Sequence, residues 1–442
     1  MSFYCAPLPY RTDAARYYAA LADLPWAVWL DSAGMGRYDI LTAAPQRTLV
    51  LEAGSACGNP FEQISGELDG QVAPVEDVPF AGGALGYWSY DLARRMMVLP
   101  EMAQDAEHLP DMAVGIYDWA VILDHQRQSA RLVSHRRFPE TAGLLPGILK
   151  RLLDTRPLPY DDFKVIGKLR CNFTPDSYAG VFSAVQDYLR AGDCYQINIA
   201  QRFCAQAEGD AFSAYLRLRS LNPAPYSAFL QLPQVRVLCN SPESFISVRD
   251  GTVTTRPIKG TRARSSDEQE DRRLADELRD HPKDRAENLM IVDLLRSDLG
   301  KSCVPGSVHV PELFKVESYA NVHHLVSTVE GRLAEGCTAL QVLRDCFPGG
   351  SVTGAPKLHA MQIIEQLEPN KRGIYCGAIG YAGFDGNMDT NIVIRSLIYS
   401  GNEIRCWAGG GIVADSMEKD EYRETLDKAS AMLELLRHYG GE

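Results

Sequence analysis

The sequence predicts an α+β protein. Strand-like runs are mixed with helical runs, without the regular strand–helix–strand alternation of a doubly wound sheet. No G-x-G-x-x-G follows a strand candidate with an acid downstream. The glycine-rich "FPGGSVTGAPK" (347–357) lacks the G-x-x-x-x-G-K-[ST] spacing of a phosphate loop. The chain has 442 residues, 45% apolar and 23% charged, which is globular and enough for one large or two ordinary domains.

The first 155 residues read as a mixed α/β region. "DAARYYAALADL" (13–24) is a short helix candidate, and "WAVWLDS" (26–32) and "GIYDWAVILDH" (115–125) read as strands. "GGALGYWSYDLARR" (82–95) reads as a glycine-rich turn entering a helix or strand. "RPLPYDDF" (156–163), with two prolines and no periodicity, is the linker candidate, and 165–442 follows as a second region packed with the first in one compact unit.

In that region Thr174 and Pro175 supply an N-cap and an N1 proline, and Gly192 a stop, for a helix through "YAGVFSAVQDYLRAG". "CYQINIAQRFCAQ" (194–206) alternates like a strand, "YSAFLQLPQVRVLCN" (226–240) reads as a hairpin, and "SFISVRDGTVTTRP" (244–257) as a second hairpin turning at Asp250-Gly251. Helices dominate 266–300 and 338–368. A strand-rich stretch (374–413) then leads into a last helix over 417–438.

Composition narrows the partners. Forty-five basic against 57 acidic residues give a formal charge of −12. That argues against non-specific nucleic-acid binding and against an anionic membrane surface, but leaves room for an anionic small substrate in a locally positive site. The eleven cysteines form no C-x-x-C pair, no signal peptide is read, and no apolar run approaches the ~18 residues of a membrane span. Reduced thiols in a cytoplasmic protein are expected.

The second hairpin brings an acid and an amine to one end of two strands. With a two-residue turn Glu243 faces Ile258; with a three-residue bulged loop it faces Pro257, and then Glu243 and Lys259 share a face. Either the pair is an acid beside a nucleophile or base, or it is a cross-strand ion pair contributing about 0.2–1 kcal/mol. A nucleophilic amine must be neutral, which desolvation or a cationic neighbour (Arg256 or a metal) would favour.

Two helices carry paired acids. Asp284 and Glu287 are three apart after Pro282, and Glu421 and Glu424 lie opposite the apolar stripe Leu426, Ala429, Leu433 and Leu436. Such pairs suit a hard divalent cation completed by water and substrate oxygens. They equally suit a helix macrodipole and an ordinary Glu424–Lys428 pair. "GGSVTGAPK" (349–357) and "WAGGGIVADS" (407–416) offer backbone N–H groups to an anion. Arg395, within an apolar strand run beside the run carrying Tyr375, calls for an anionic partner in protein or ligand. His323-His324 either includes a catalytic imidazole or sits hydrogen-bonded in the core.

The ordered motifs "NSPESF", "PIKGTRAR", "DRAENLMIVDLLRSDLG", "VHHLVSTVEG", "FPGGSVTGAPK", "YCGAIGY", "NIVIRS", "AGGGIVADS" and "EYRETLDKA" resemble those of chorismate-utilising enzymes. That family includes anthranilate synthase large subunits and isochorismate and salicylate synthases. The match is dense from about residue 170 to the C-terminus, and "LPWAVWLDS", "GALGYWSYDLARR" and "NPAPYSAFL" extend it upstream. The resemblance implies the anthranilate synthase component I-like fold: large, mostly antiparallel sheets packed as a sandwich, with helices outside. Anthranilate synthases similar to this chain carry alanine at the place of Lys259. "PIKGT" is typical of members that make 4-amino-4-deoxychorismate on the route to p-aminobenzoate and folate.

The resemblance further implies that Lys259 attacks C2 of chorismate while Glu243 protonates the departing C4 hydroxyl, and that ammonia then enters at C4. Glu287, Glu424, Glu421 and Asp284 resemble ligands of Mg²⁺, although Asp284 is shorter than the glutamate of anthranilate synthases. Tyr375, Arg395, Gly411 and Lys428 match positions that hold substrate carboxylates, Ser351 a hydroxyl of the pocket, and His324 the histidine of a related "HLVS" motif. Gln196 sits where water-adding relatives carry a lysine base. No cysteine lies in a tight glycine-flanked elbow; "GSACGNP" (54–60) does not fit one. Ammonia is therefore expected from a separate glutaminase subunit. Anthranilate synthase activity, or a non-catalytic subunit binding chorismate or an effector, are the alternatives.

Overall fold

A computed structural model describes residues 3–55, 58–70, 72–154, 157–158, 162–319 and 322–441. Part of the linker candidate (residues 156 and 159–161), two residues of the 54–60 motif (56 and 57) and residues 320–321 before the histidine pair lie outside the described residues.

Two large sheets face each other. The twelve-stranded sheet runs, by strand position, from Tyr4–Leu8 through Ser129–Ser134, Ala120–Asp124, Tyr38–Thr42, Ala27–Asp31, Tyr226–Gln231, Arg236–Ser241, Ser396–Ser400 and Glu403–Ile412 to Gln196–Glu208 and Gly354–Ala355; Lys164–Cys171 also pairs with Gln196–Glu208. The ten-stranded sheet runs from Ile258–Ala263 through Val322–Arg332, Thr252–Thr255, Ser244–Arg249, Met388–Ile392, Ala378–Gly383, Gly83–Trp88 and Met112–Tyr117 to Arg47–Leu51, with His309–Ser318 beside Val322–Arg332. The ladders between these strands are antiparallel. The fold is α+β, as the sequence predicts, and each sheet takes strands from both sides of residues 156–163.

Side-chain alternation explains why so many runs are apolar on both faces. Val28, Ala228, Leu230 and Val237 point into the core shared with the other sheet, beside Leu85, Ile246 and Tyr381. Their neighbours Ala27, Trp29, Phe229 and Leu238 point the other way, against the helices Ala211–Leu221 and Glu418–His438 through Phe212, Tyr215, Met432 and Leu436. Helices Pro175–Ala191 and Lys357–Leu367 bury a smaller cluster over Ile197 and Ile199. No helix among the described residues is long and apolar enough to cross a membrane. The ten cysteines among them are free.

Local signals read from sequence meet structure at several points. Helix Pro175–Ala191 has Thr174 as N-cap in a capping box and Gly192 in the left-handed conformation. At Asp250-Gly251 both residues have positive φ (49° and 77°), as a two-residue hairpin turn requires. Other expectations need correction. "GIYDWAVILDH" is not one strand: Met112–Tyr117 and Ala120–Asp124 belong to different sheets. The break falls at Asp118, whose carboxylate accepts from the backbone N–H groups of Arg137 (3.0 Å) and Phe138 (2.9 Å). Of the glycines at the start of 82–95 only Gly82 lies in a bend, and the chain enters a strand at once. Gly83–Trp88 is a central strand, and a side chain at Gly86 would strike the Ala113 carbonyl next door. In 13–24 only Ala15–Ala19 is α-helical.

The chain crosses between sheets twice at one place. Arg236–Ser241 lies in the larger sheet and Ser244–Arg249 in the smaller, with Pro242-Glu243 between; Met388–Ile392 and Ser396–Ser400 are split the same way, with Val393 to Arg395 between. The crossings are bonded together: Ile392 N–H donates to the Glu243 carbonyl (3.1 Å), and the Ser241 hydroxyl to the Ile392 carbonyl (2.6 Å).

Candidate active site

Beside these crossings lies a cavity of about 580 Å³. Of the residues singled out from the sequence, Gln196, Arg256 and His323 lie outside its lining, and Lys259, Glu243, Ser351, Tyr375, Arg395, Gly411, Lys428, His324 and the four acids line it. The smaller sheet contributes Lys259 and His324, the crossings Glu243 and Arg395, the turn Gly350–Val352 contributes Ser351, and strand Glu403–Ile412 contributes Gly411. Helix Pro282–Leu299 presents Asp284 and Glu287, and helix Glu418–His438 presents Glu421, Glu424 and Lys428.

Glu243 and Lys259 come together, though not by the expected cross-strand register. The hairpin takes the two-residue register, Arg249 opposite Thr252, and not the bulged one. Its ladder stops at Ser247 opposite Thr254. Beyond that the second strand ends at Thr255, and Ile258–Ala263 pairs instead with Val322–Arg332. The contact is made by a third element. Ser351 donates its hydroxyl to Glu243 Oε1 (2.8 Å), and its carbonyl accepts from Lys259 Nζ (3.2 Å).

Both groups are pushed toward neutrality. Burial raises the Glu243 carboxyl pKa against the pull of the Ser351 hydrogen bond and of Lys259 and Lys428. Burial lowers the Lys259 amine pKa; Lys428 works in the same direction, and Glu287, Glu243 and Glu424 oppose it. The cationic neighbour is thus Lys428, not Arg256, which is ion-paired to Glu317. Lys428 is itself fixed by Glu424 Oε1 (2.6 Å) and the Gly409 carbonyl (3.0 Å).

The acids are arranged unequally. Glu421 is 3% exposed; its Oε1 accepts from the Ser416 hydroxyl (2.6 Å), and its buried Oε2 has no hydrogen-bond partner. Lys283 Nζ stands 3.7 Å from Glu421 Oε1 and 4.0 Å from Glu287 Oε1. Burial raises the pKa of Glu287 and Glu421, whereas at Glu424 burial is outweighed by Lys428 together with Lys259 and Lys283, and the pKa is lowered. Asp284 differs from the other three, because its Oδ2 is taken by Arg262 (3.1 Å) and His281 (3.0 Å). Glu287, Glu421 and Glu424 offer only hard oxygen donors, one of them unpartnered, which fits a small divalent cation. Among the described residues no three of His, Cys, Asp and Glu converge into a cage by themselves. Water and substrate oxygens commonly complete a Mg²⁺ shell.

Arg395 is not in a strand: it follows Met388–Ile392, with φ +52°, in the crossing. The residue is half-buried, burial lowers the pKa of its guanidinium, and among the described residues that group has no ion pair or hydrogen bond. It is the cationic fork left open to an anion. Tyr375 also lies outside the strand Ala378–Gly383, its ring parallel to Trp407 at 6.0 Å. His324 Nδ1 pairs with the Thr261 hydroxyl (2.9 Å); burial, then the Arg395 charge, pushes its pKa down to about 4, so the ring is neutral at pH 7. His323 is instead a core histidine bonded to Asp271 and Ser318. Gln196 lies behind the wall with no exposure, and neither polar atom of its amide has a partner. Any side chain at Gly411 would collide with that amide, so the wall must be bare backbone there.

Sequence reasoning missed Lys283, Asn198, Trp407 and Arg372, all of which line the cavity. "KRG" at 371–373 reads as solvated charge, and only the i,i+4 spacing from Glu368 hints otherwise. Asn198 had a visible cue, a polar amide inside the apolar run "QINIA".

Residues 26–434 match the family model described as chorismate binding enzyme. Aminodeoxychorismate synthase component 1 of Escherichia coli (strain K12) is 47% identical over 448 residues, covering 97% of each chain. Anthranilate synthase component 1 of Thermus thermophilus is 37% identical, covering 96% of this chain and 95% of its own. The solved anthranilate synthase component I from Streptococcus pneumoniae superposes with a TM-score of 0.81 at 33% identity, over 90% of this chain and 92% of its own. This chain belongs to the chorismate binding enzymes.

Proposed function

We propose that this enzyme aminates chorismate to 4-amino-4-deoxychorismate, the step toward p-aminobenzoate and folate. The reading rests on the shared contact of Lys259 and Glu243 with Ser351 inside one cavity. It is supported by the printed names of relatives 45–47% identical over nearly the whole chain, which are aminodeoxychorismate synthase component 1.

In the reaction the neutral Lys259 amine attacks C2. The ring double bonds shift, and the C4 hydroxyl leaves as water with the proton of Glu243. Ammonia then attacks C4, the double bonds shift back, the lysine departs from C2 as a neutral amine, and the new C4 ammonium returns a proton to the Glu243 carboxylate. Substitution at C4 thus needs two displacements through a covalent adduct. The unpaired Arg395, with Tyr375 and the Gly411 backbone, binds the substrate carboxylates, and burial together with the Lys428 charge favours the neutral amine of Lys259. The neutral His324 lines the same pocket without adding charge. Glu287, Glu421 and Glu424 would hold Mg²⁺, which when bound neutralises a substrate carboxylate. Asp284, engaged by Arg262, supports the helix end instead. The buried Gln196 presents no base where a lysine would activate water. Ammonia comes from a separate glutaminase subunit, and the reduced cysteines fit a cytoplasmic enzyme.

Incubation with chorismate, ammonium and Mg²⁺, with products resolved by mass and fluorescence, tests the reading. The expected product is non-fluorescent and retains the enolpyruvyl group. Fluorescent anthranilate would assign the chain to the other amination, and unchanged chorismate would reject catalysis.

A further inference from the structure

Behind the turn that carries Ser351 lies a buried ion pair that the reaction above does not use. Arg372 is 2% exposed. Its guanidinium grips Glu368 twice, with Nε to Oε2 at 3.0 Å and Nη2 to Oε1 at 2.7 Å. It also donates to two backbone carbonyls, Val352 through Nη1 (2.8 Å) and Asn198 through Nη2 (2.8 Å). Glu368 Oε1 in turn accepts from the Ala200 N–H (2.9 Å). Four hydrogen bonds on a group with five N–H donors leave Arg372 little capacity for a ligand, in contrast to Arg395.

These bonds join the turn Gly350–Val352 to the strand Gln196–Glu208, and both ends face the reacting groups. Val352 follows Ser351 directly. Asn198 donates its Nδ2 to the Ser351 carbonyl (2.9 Å), the same oxygen that accepts from Lys259. The guanidinium also lies over the Tyr375 ring, 5.9 Å from its centroid. A planar fork with fixed donor directions holds two carbonyls and one carboxylate in one geometry. An ammonium, with no such fork, cannot reproduce it.

We infer that Arg372, clamped by Glu368, is a positioning residue for amination: it fixes the Ser351 carbonyl and hydroxyl that aim Lys259 and Glu243. This rests on the amination reading above. The role is to hold a nucleophile and an acid at reacting distance, where small misplacements cost large factors in rate.

The test compares wild type, Arg372→Lys, Ser351→Ala and the double variant in the ammonium-dependent assay, with thermal melting as the check on folding. Arg372→Lys is expected to lower kcat at least 10-fold while the chorismate KM stays within 3-fold. In the Ser351→Ala background the hydroxyl aimed at Glu243 is gone while the backbone carbonyl that holds Lys259 remains, so the same substitution is expected to cost measurably less than in wild type and the two effects do not multiply. A folded Arg372→Lys with kcat within 2-fold of wild type, or effects that simply multiply in the double variant, overturns the role. If Arg372→Lys does not fold, Glu368→Gln, which is isosteric and keeps an acceptor for Ala200, takes its place with the same expectations. A wild-type enzyme that turns over while the variant matches it sinks only the positioning role. An inert wild type sinks the amination reading itself.

Discussion

The Lys259 amine and the Glu243 carboxyl meet at Ser351, one on its carbonyl at 3.2 Å and the other on its hydroxyl at 2.8 Å. A residue 92 positions from Lys259 therefore sets the spacing of an amine and a carboxyl that lie only 16 positions apart.

Lys259→Ala should lower kcat for amination by about 10³-fold or more, as loss of a nucleophile does. Chorismate affinity should change little, because Arg395, Tyr375 and the Gly411 backbone remain. Steady-state rates with calorimetric titration of chorismate measure both. Unchanged turnover would reduce Lys259 to a bystander.

Amination by the proposed route requires a proton on Glu243 and none to spare on Lys259, so the rate should follow a bell whose two limbs belong to the pair jointly. Lys428 lowers the pKa of both groups. Lys428→Met removes that charge and leaves Glu424 uncompensated, which raises both values. The acid and alkaline limbs of the kcat profile should both move to higher pH. A profile fixed in position, or moved downward, would show that Lys428 does not tune the pair.

Glu287→Gln should raise the Mg²⁺ concentration needed for half-maximal rate and lower the maximal rate. Direct titration with Mn²⁺ by electron paramagnetic resonance should show weaker binding in parallel. Asp284→Asn, at a carboxylate already held by Arg262 and His281, should weaken metal binding less. Full activity of Glu287→Gln without added metal would remove it from the ligand set.

Gly251 has φ +77° in open space. Gly251→Ala should therefore lose stability through backbone strain alone, about 1–2 kcal/mol, read as a lower denaturant midpoint at unchanged slope. A stability equal to wild type would mean that the turn relaxes to another type.

What could be read directly was local chemistry. Thr174, Pro175 and Gly192 bracket their helix because caps depend on neighbours in sequence, and Asp250-Gly251 marks its turn for the same reason. Burial on both faces hid the split after Tyr117: without alternation or a glycine, only Asp118 signals the change of sheet. The nearness of Glu243 and Lys259 was anticipated from strand register. The register that occurs ends too early to bring them together, and Ser351 supplies the link from a distant turn. Arg395 was readable as a cation needing an anion, but its place in a crossing depends on which sheet each flanking strand joins. Arg372 gave only the i,i+4 hint of Glu368, because the backbone carbonyls of Val352 and Asn198 that complete its four acceptors are brought to it by the tertiary fold.

The interleaving of the sheets bears on how the chain can be divided. Ala27–Asp31 is hydrogen-bonded between Tyr38–Thr42 and Tyr226–Gln231, and Gly83–Trp88 between Met112–Tyr117 and Ala378–Gly383. A protease cut within 156–163 would release nothing, since ladders on both sheets would keep the pieces clamped. Each fragment made alone would present raw strand edges and aggregate, so a gene split there should restore activity only when both halves are synthesised in the same cell.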